Sequence, residues 1–159
     1  MSADEIVNRL GIPLATFVWC MTSGVMPIVN AELFLVGVAS LTPSSRLWVL
    51  VVSATAGQMI AKSFMYLVGS GVVRLPFGRQ GKVDLEAARE RVARWRSKDL
   101  LVFVSAASGL PPFYLTSIVA GTLRFPFARF FAFGLAGRVV RFSLLVAVPP
   151  LGRWIAGVR

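Results

Sequence analysis

The chain alternates long apolar stretches with short polar ones, and their lengths are the first clue to its architecture. Residues 11–41 run 31 positions with Glu32 as their one charge. A membrane span needs about 20 residues, so this stretch is too short for two spans and long for one. Within it, Ser23-Gly24-Val25-Met26-Pro27 interrupts the run. Proline removes a backbone donor and glycine weakens a helix. In hydrocarbon the freed polar groups are costly unless protein or water satisfies them, so the break must be covered. Two solutions fit: one long, kinked, tilted span, or a re-entrant hairpin of two half-helices meeting at 23–27.

Residues 42–46 (TPSSR) form a turn, and 47–73 follow as a 27-residue apolar helix with Lys62 near its middle. Ser53, Gly57 and Ala61 repeat at i, i+4, i+8, a small-residue stripe that predicts close approach of another helix. Residues 74–99 carry eight basic and four acidic side chains. Asp84 is a candidate N-cap there, and Leu85, Ala88, Val92 and Trp95 share one helical face, with Glu90 and Arg94 as an i, i+4 pair. The pattern fits an amphipathic helix on the cytoplasmic membrane surface or a solvated linker helix.

Residues 100–123 make a second apolar stretch, 24 positions without a charge, broken at Ser108-Gly109-Leu110-Pro111-Pro112. A basic, aromatic corner at 124–129 leads into a last apolar helix over 130–151. Arg138 and Arg141 interrupt that helix, and Pro149-Pro150 are expected to end it. Trp154 in the tail is a candidate interfacial anchor. Residues 2–10 read as a short interfacial turn with Ser2 as N-cap, and no removable signal peptide is expected.

The two broken stretches align. An offset of 85 pairs Ser23 with Ser108, Gly24 with Gly109 and Pro27 with Pro112. Gly37 meets Gly121 at 84, Arg46 meets Arg129 at 83, and Gly57 meets Gly137 at 80. Each half reads as a broken apolar segment, a turn with arginine, then a helix with a central glycine. Interrupted segments at corresponding places in two halves point to a transporter site. If both breaks are hairpins, each half crosses the membrane once and the halves are inverted. The basic linker then lies inside with Arg124 and Arg129, giving ten basic residues inside and four outside. A four-span topology gives eleven and three, so the positive-inside rule does not separate them. Stretch lengths and breaks favour hairpins.

Composition narrows the class further. At 159 residues the chain is one domain, with 11–73 as repeat 1, 74–99 as the basic cytoplasmic linker and 100–151 as repeat 2. With 56% apolar residues and a mean hydropathy of +0.73, an integral membrane protein is expected. The net charge of +10 would suggest nucleic acid in a soluble protein. Here the basic residues cluster between apolar stretches, which points to anionic lipid and away from nucleic acid. One cysteine and no histidine leave no disulfide scaffold and none of the usual zinc, haem or histidine-based catalytic sets. No cofactor is expected. An intramembrane enzyme is the weakest reading, because no acidic pair stands ready as acid and base.

Four ionisable groups lie at the expected membrane depth: Glu32, Lys62, Arg138 and Arg141. Such groups should face the bundle interior or a water-filled cavity. Arg138 and Arg141 share a helix face at i, i+3, and Tyr66 stands one turn beyond Lys62. Three cations against one carboxylate leave a surplus suited to a phosphate headgroup. Glu32 is the natural proton-responsive group, or else a structural partner of Lys62 or an arginine. At the broken-helix tips, Pro27, Asn30, Pro112 and Tyr114 mark where N–H donors could meet an anion, with Asn30 and Tyr114 able to add hydrogen bonds.

With these residues in view, the chain resembles the DedA family, the VTT-domain or SNARE-associated Golgi protein superfamily. Pro27-Ile28-Val29-Asn30-Ala31-Glu32, followed by Gly37, is similar to that family's Pro-x-x-Ser-Glu re-entrant segment. Pro111-Pro112 through Ala120-Gly121, then Phe130, Phe131, Gly137, Arg138 and Arg141, is similar to its second-half motifs. The resemblance covers about residues 12–150 and implies two re-entrant hairpins packed on transmembrane helices. It also implies movement of phospholipid or polyprenyl phosphate between leaflets, proton-coupled through Glu32. The family's Arg-x-x-Pro-x-x-Arg pattern before the Ala-Gly is missing, since residues 107–114 hold no arginine. Arg138, Arg141 or Lys62 as replacements is our own hypothesis.

The expected protein is therefore all-α, with two inverted repeats, each a re-entrant hairpin followed by a transmembrane helix, and an amphipathic linker helix. It would be a multi-pass protein of a bacterial inner membrane that translocates an anionic lipid in scramblase fashion, with a homo-oligomer left open. The alternative is a structural or adaptor protein serving envelope integrity without transport.

Overall fold

The computed structural model describes residues 11–26, 30–72, 90, 94 and 97–155, the last five of these by backbone alone. The six helices it defines are α1 (Ile12–Val25), α2 (Ala31–Leu41), α3 (Leu47–Gly69), α4 (Lys98–Ser108), α5 (Phe113–Thr122) and α6 (Phe127–Ile155). A 3-10 turn, Ser44–Arg46, leads into α3. Among the described residues every element is helical, and α1 packs on α2 as α4 packs on α5.

Local chemistry accounts for the helix ends. Pro13 lies in the first turn of α1, where its missing N–H costs nothing. Asn30, in extended conformation, caps α2 by accepting hydrogen bonds from the N–H groups of Glu32 and Leu33. Ser97 caps α4 by accepting from the Leu100 N–H. Gly109 closes α4 with φ +83°, and its N–H donates to the Ser105 carbonyl.

Among the described residues two helices are long and apolar enough to cross a membrane: Ser44–Gly69 and Phe127–Pro150. The arms α1, α2 and α5 hold 14, 11 and 10 residues. At 1.5 Å per residue these rise about 21, 17 and 15 Å, short of the ~30 Å hydrocarbon core.

The chain divides into two compact units. The first joins residues up to Gln58 with those from Val139 onward. It contains α1, α2, the N-terminal half of α3 and the C-terminal half of α6. Its core gathers Cys20, Leu35, Leu50 and Ala54 with Phe142 and Val146. The second spans Met59 to Arg138, with the rest of α3 and α6 around α4 and α5. Its core is aromatic: Tyr66, Phe113, Phe125 and Phe130 with Met59 and Val102. Tyr66 and Phe113 each stack on Phe130, and the Tyr66 hydroxyl donates to the Phe125 carbonyl at 2.5 Å.

Glycines set how closely helices meet. In the first unit, a Cβ on Gly57 would collide with the Phe17 carbonyl of α1. In the second, a Cβ on Gly137 would lie 2.6 Å from the Phe103 carbonyl of α4. The same relationship thus occurs twice: the central glycine of the long helix rests on a phenylalanine carbonyl of its own hairpin's first arm. Gly37 and Gly121 differ, since nothing lies within 4 Å of a Cβ on Gly37, whereas one on Gly121 would strike the Tyr66 carbonyl. Ser23 and Ser108 differ as well, the first buried and the second exposed.

Several sequence expectations need correction. α3 stops at Gly69, four residues before the expected end, in a turn where Gly71 takes φ +81°. Lys98 and Asp99 belong to α4 and not to the linker, because Ser97 supplies the cap. α6 begins at Phe127 and runs through Pro149 and Pro150 to Ile155. Proline withholds one donor, but its φ near −65° is helical, and membrane helices tolerate such losses. The proposed linker helix, with Asp84, Leu85, Ala88, Val92 and Trp95, falls outside the described residues, as do Ser2 and Pro27. Of the linker's Glu90–Arg94 pair, both residues are helical and exposed.

Candidate functional site

The second break shows how backbone groups freed by Gly109, Pro111 and Pro112 are covered. Ser105 on α4 is fully buried and donates to the Pro111 carbonyl at 2.6 Å. Thr116 on α5 meets the same hydroxyl at 2.9 Å. Ser108 donates to the Val104 carbonyl and accepts from the Leu110 N–H at 3.1 Å. Side-chain hydroxyls thus replace the helix ladder across the break, as a low-dielectric setting requires. Ser117, fully buried one residue on, donates to the Phe113 carbonyl.

Four sequence-picked ionisable residues separate into two pairs. In the first unit, Arg141 of α6 donates from Nη2 to the Glu32 carboxylate in the first turn of α2. Glu32 also benefits from its place at a helix N-terminus, where a negative charge is favoured. Its side chain is 44% accessible within the protein, against 18% for Arg141. Asn30 is spent on capping, so its side-chain oxygen faces the backbone donors of α2.

In the second unit, Lys62 and Arg138 are both buried, at 4% and 8% exposure. The Arg138 guanidinium lies over the Phe113 ring at 4.9 Å, a cation–π arrangement. Its field bears on the Lys62 ammonium, so two like charges share one apolar neighbourhood. A Cβ on Gly134, one turn before Arg138, would lie 3.0 Å from the Phe113 ring, so this glycine lets the ring sit against α6. Asp99, an acid of this unit, pairs with Arg129 at 2.6 Å. Pro112 occupies the N-cap of α5 without a side-chain bond, and Tyr114 is half-buried in its first turn.

Sequence reasoning missed Phe113 and Ser105; Thr116 and Ser117 stand out in the sequence as the repeat counterparts of Glu32, but their hydrogen bonds were not foreseen. A signal for Phe113 existed in its place directly after Pro111-Pro112, where the new helix begins. A buried polar pair in the first unit was missed too: Gln58 Nε2 donates to Ser23 Oγ at 2.8 Å. Among the described residues no cluster of three or more His, Cys, Asp or Glu side chains could hold a metal ion.

Short helical arms beside two helices of membrane-crossing length, with Lys62, Arg138 and Arg141 on those long helices, are compatible with a helical membrane protein. A family model for the VTT domain matches residues 26–148, and the chain belongs to this family, that of the DedA and SNARE-associated Golgi proteins. Proteins with this domain are membrane proteins. No curated protein and no solved structure gave a significant match.

Proposed function

We propose that the protein moves an anionic lipid, a phospholipid or polyprenyl phosphate, between the leaflets of a bacterial inner membrane, with Glu32 as its proton-responsive group. The observation that carries this reading is the burial of Lys62 and Arg138 together in one unit. Two like charges in an apolar setting cost free energy and are kept where a function needs them. Their combined field favours a phosphate, which arginine can bind through two parallel hydrogen bonds. These two residues take over the role that the family's missing arginine pair would fill.

In this reading α1–α2 and α4–α5 are re-entrant hairpins, α3 and α6 are the spans, and the two halves are inverted repeats. The short arms and the repeated glycine-on-carbonyl relationship at Gly57 and Gly137 support it. The partners are anionic lipid headgroups; the process involves no covalent chemistry and no cofactor.

The test is translocation of fluorescent phosphatidylglycerol in reconstituted vesicles. Arg138→Gln removes charge-assisted bonds of about 1.5–3 kcal/mol and should slow translocation about tenfold or more. Translocation by Arg138→Gln at the wild-type rate refutes the assignment. A second reading, a structural protein without transport, is favoured by the Glu32–Arg141 pair, which ties α2 to α6. It predicts vesicles with wild-type protein that translocate no faster than protein-free ones.

A further inference from the structure

A cleft of about 290 Å³ opens in the first unit where α1 begins and α3 begins. Its walls include Ile12 and Pro13 of α1, Pro43 and Arg46 of the turn, and Trp48 and Val49 of α3. The lining is apolar except at two places. Thr42 is one, and its hydroxyl donates to the Val38 carbonyl. Arg46 is the other: it is exposed, and its guanidinium makes no hydrogen bond or ion pair among the described residues. Among the described residues no acid lines the cleft.

The surroundings indicate the occupant. Arg46 stands in the first turn of the candidate span Ser44–Gly69, and a basic residue at the end of a span is placed to meet headgroups. Trp48 is 67% exposed, and tryptophan concentrates at that interface. Leu14 and Val52, farther along α1 and α3, and Leu41 just before the turn are exposed as well. The cleft therefore pairs a cation at one end with an apolar wall beside the start of a candidate span. A volume near 300 Å³ is at the lower end for a ligand pocket.

We propose that this cleft seats one phospholipid with an anionic headgroup, its phosphate on Arg46 and part of an acyl chain against Pro13, Pro43 and Val49. The site belongs to the first unit and uses none of the residues assigned to translocation. It holds a resident lipid, whatever the fate of transported lipid.

The test uses the full chain with Trp48 as the sole tryptophan (Trp19→Phe, Trp95→Phe, Trp154→Phe), reconstituted in phosphatidylcholine vesicles. Bromine on the acyl chains of a minor lipid quenches a nearby indole. Brominated phosphatidylglycerol should bind beside Trp48 about fivefold more strongly than brominated phosphatidylcholine at equal mole fraction, the gain expected from one basic residue at an anionic surface. Arg46→Gln should bring the ratio to near one, with quenching by brominated phosphatidylcholine unchanged as a sign of intact insertion. Arg46→Lys should preserve most of the preference. Val49→Phe, which narrows the cleft and keeps the charge, should reduce it. Equal quenching by both lipids overturns the proposal, as does a preference that survives Arg46→Gln. A preference that survives Val49→Phe shows attraction to the surface without a seat, and also overturns it. Absence of quenching by either lipid shows that residues 1–10 or a second copy of the chain fills the cleft, and overturns it equally.

Discussion

Arg141 reaches the carboxylate of Glu32 across 109 positions of sequence and joins the last helix to the first turn of α2. The pair lies in the first unit, while Lys62 and Arg138 belong to the second. Of the three cations that the sequence left as equals, Arg141 is the one on which this bond to Glu32 falls.

A double-mutant cycle on this pair should give a coupling energy of about 1 kcal/mol. The value is modest because Glu32 is 44% accessible, and screening lowers the worth of such pairs. Thermal unfolding in detergent of Glu32→Gln, Arg141→Gln and the double variant measures it. A coupling near zero would make the pair irrelevant to stability.

Glu32→Gln tests proton coupling separately. It keeps the size of the side chain and removes its titration. If Glu32 is the proton-responsive group, the variant translocates lipid in vesicles at a rate that no longer changes with pH. A variant with the full pH dependence of the wild type would remove Glu32 from that role.

Four glycines should resist enlargement, and one should not. Gly57→Ala, Gly69→Ala, Gly121→Ala and Gly137→Ala each drive a methyl into a neighbouring backbone carbonyl. Overpacking of this kind costs about 1–3 kcal/mol, read as a lower unfolding temperature. Gly37→Ala meets nothing within 4 Å and should stabilise α2 by about 0.5–1 kcal/mol. The reverse order of effects would contradict the helix packing.

Ser105→Ala should cost about 1 kcal/mol, because the partly buried Pro111 carbonyl loses its donor. Ser108→Ala, at an exposed site, should cost about half a kcal/mol or less. Equal losses would place the weight of the break elsewhere.

Lys62→Met should separate stability from function. It removes one of two like charges and replaces an ammonium with a thioether of similar length. The unfolding temperature is expected to hold or rise, while phosphatidylglycerol translocation falls about tenfold. Translocation at the wild-type rate would take Lys62 out of the headgroup site.

How much of this was legible beforehand depends on whether a feature is local. Gly57 could be read from its small-residue stripe, and both breaks from Gly and Pro, because spacing and backbone chemistry decide them. Asn30 carried a legible cap signal, a short polar side chain two residues before an acid at the head of an apolar run. Its position at a break drew attention to ligand binding instead. The partition of Lys62, Arg138 and Arg141 was not legible. Arg138 and Arg141 are three residues apart on one helix, yet they belong to different units because α6 passes from one core to the other. The passage of α6 through Pro149 and Pro150 was likewise hidden, since proline's φ is itself helical and only its missing donor argues for a stop.

The first core has a consequence for synthesis. Cys20, Leu35 and Leu50 emerge early from the ribosome, but Phe142 and Val146, which complete their core, come about ninety residues or more later. At 5–20 residues per second that wait lasts roughly five to twenty seconds. During it the nascent hairpin exposes an unfinished apolar face and a Glu32 without Arg141. A ribosome stall within the linker would leave that species in the membrane, a first half that no later repair can close without the final helix.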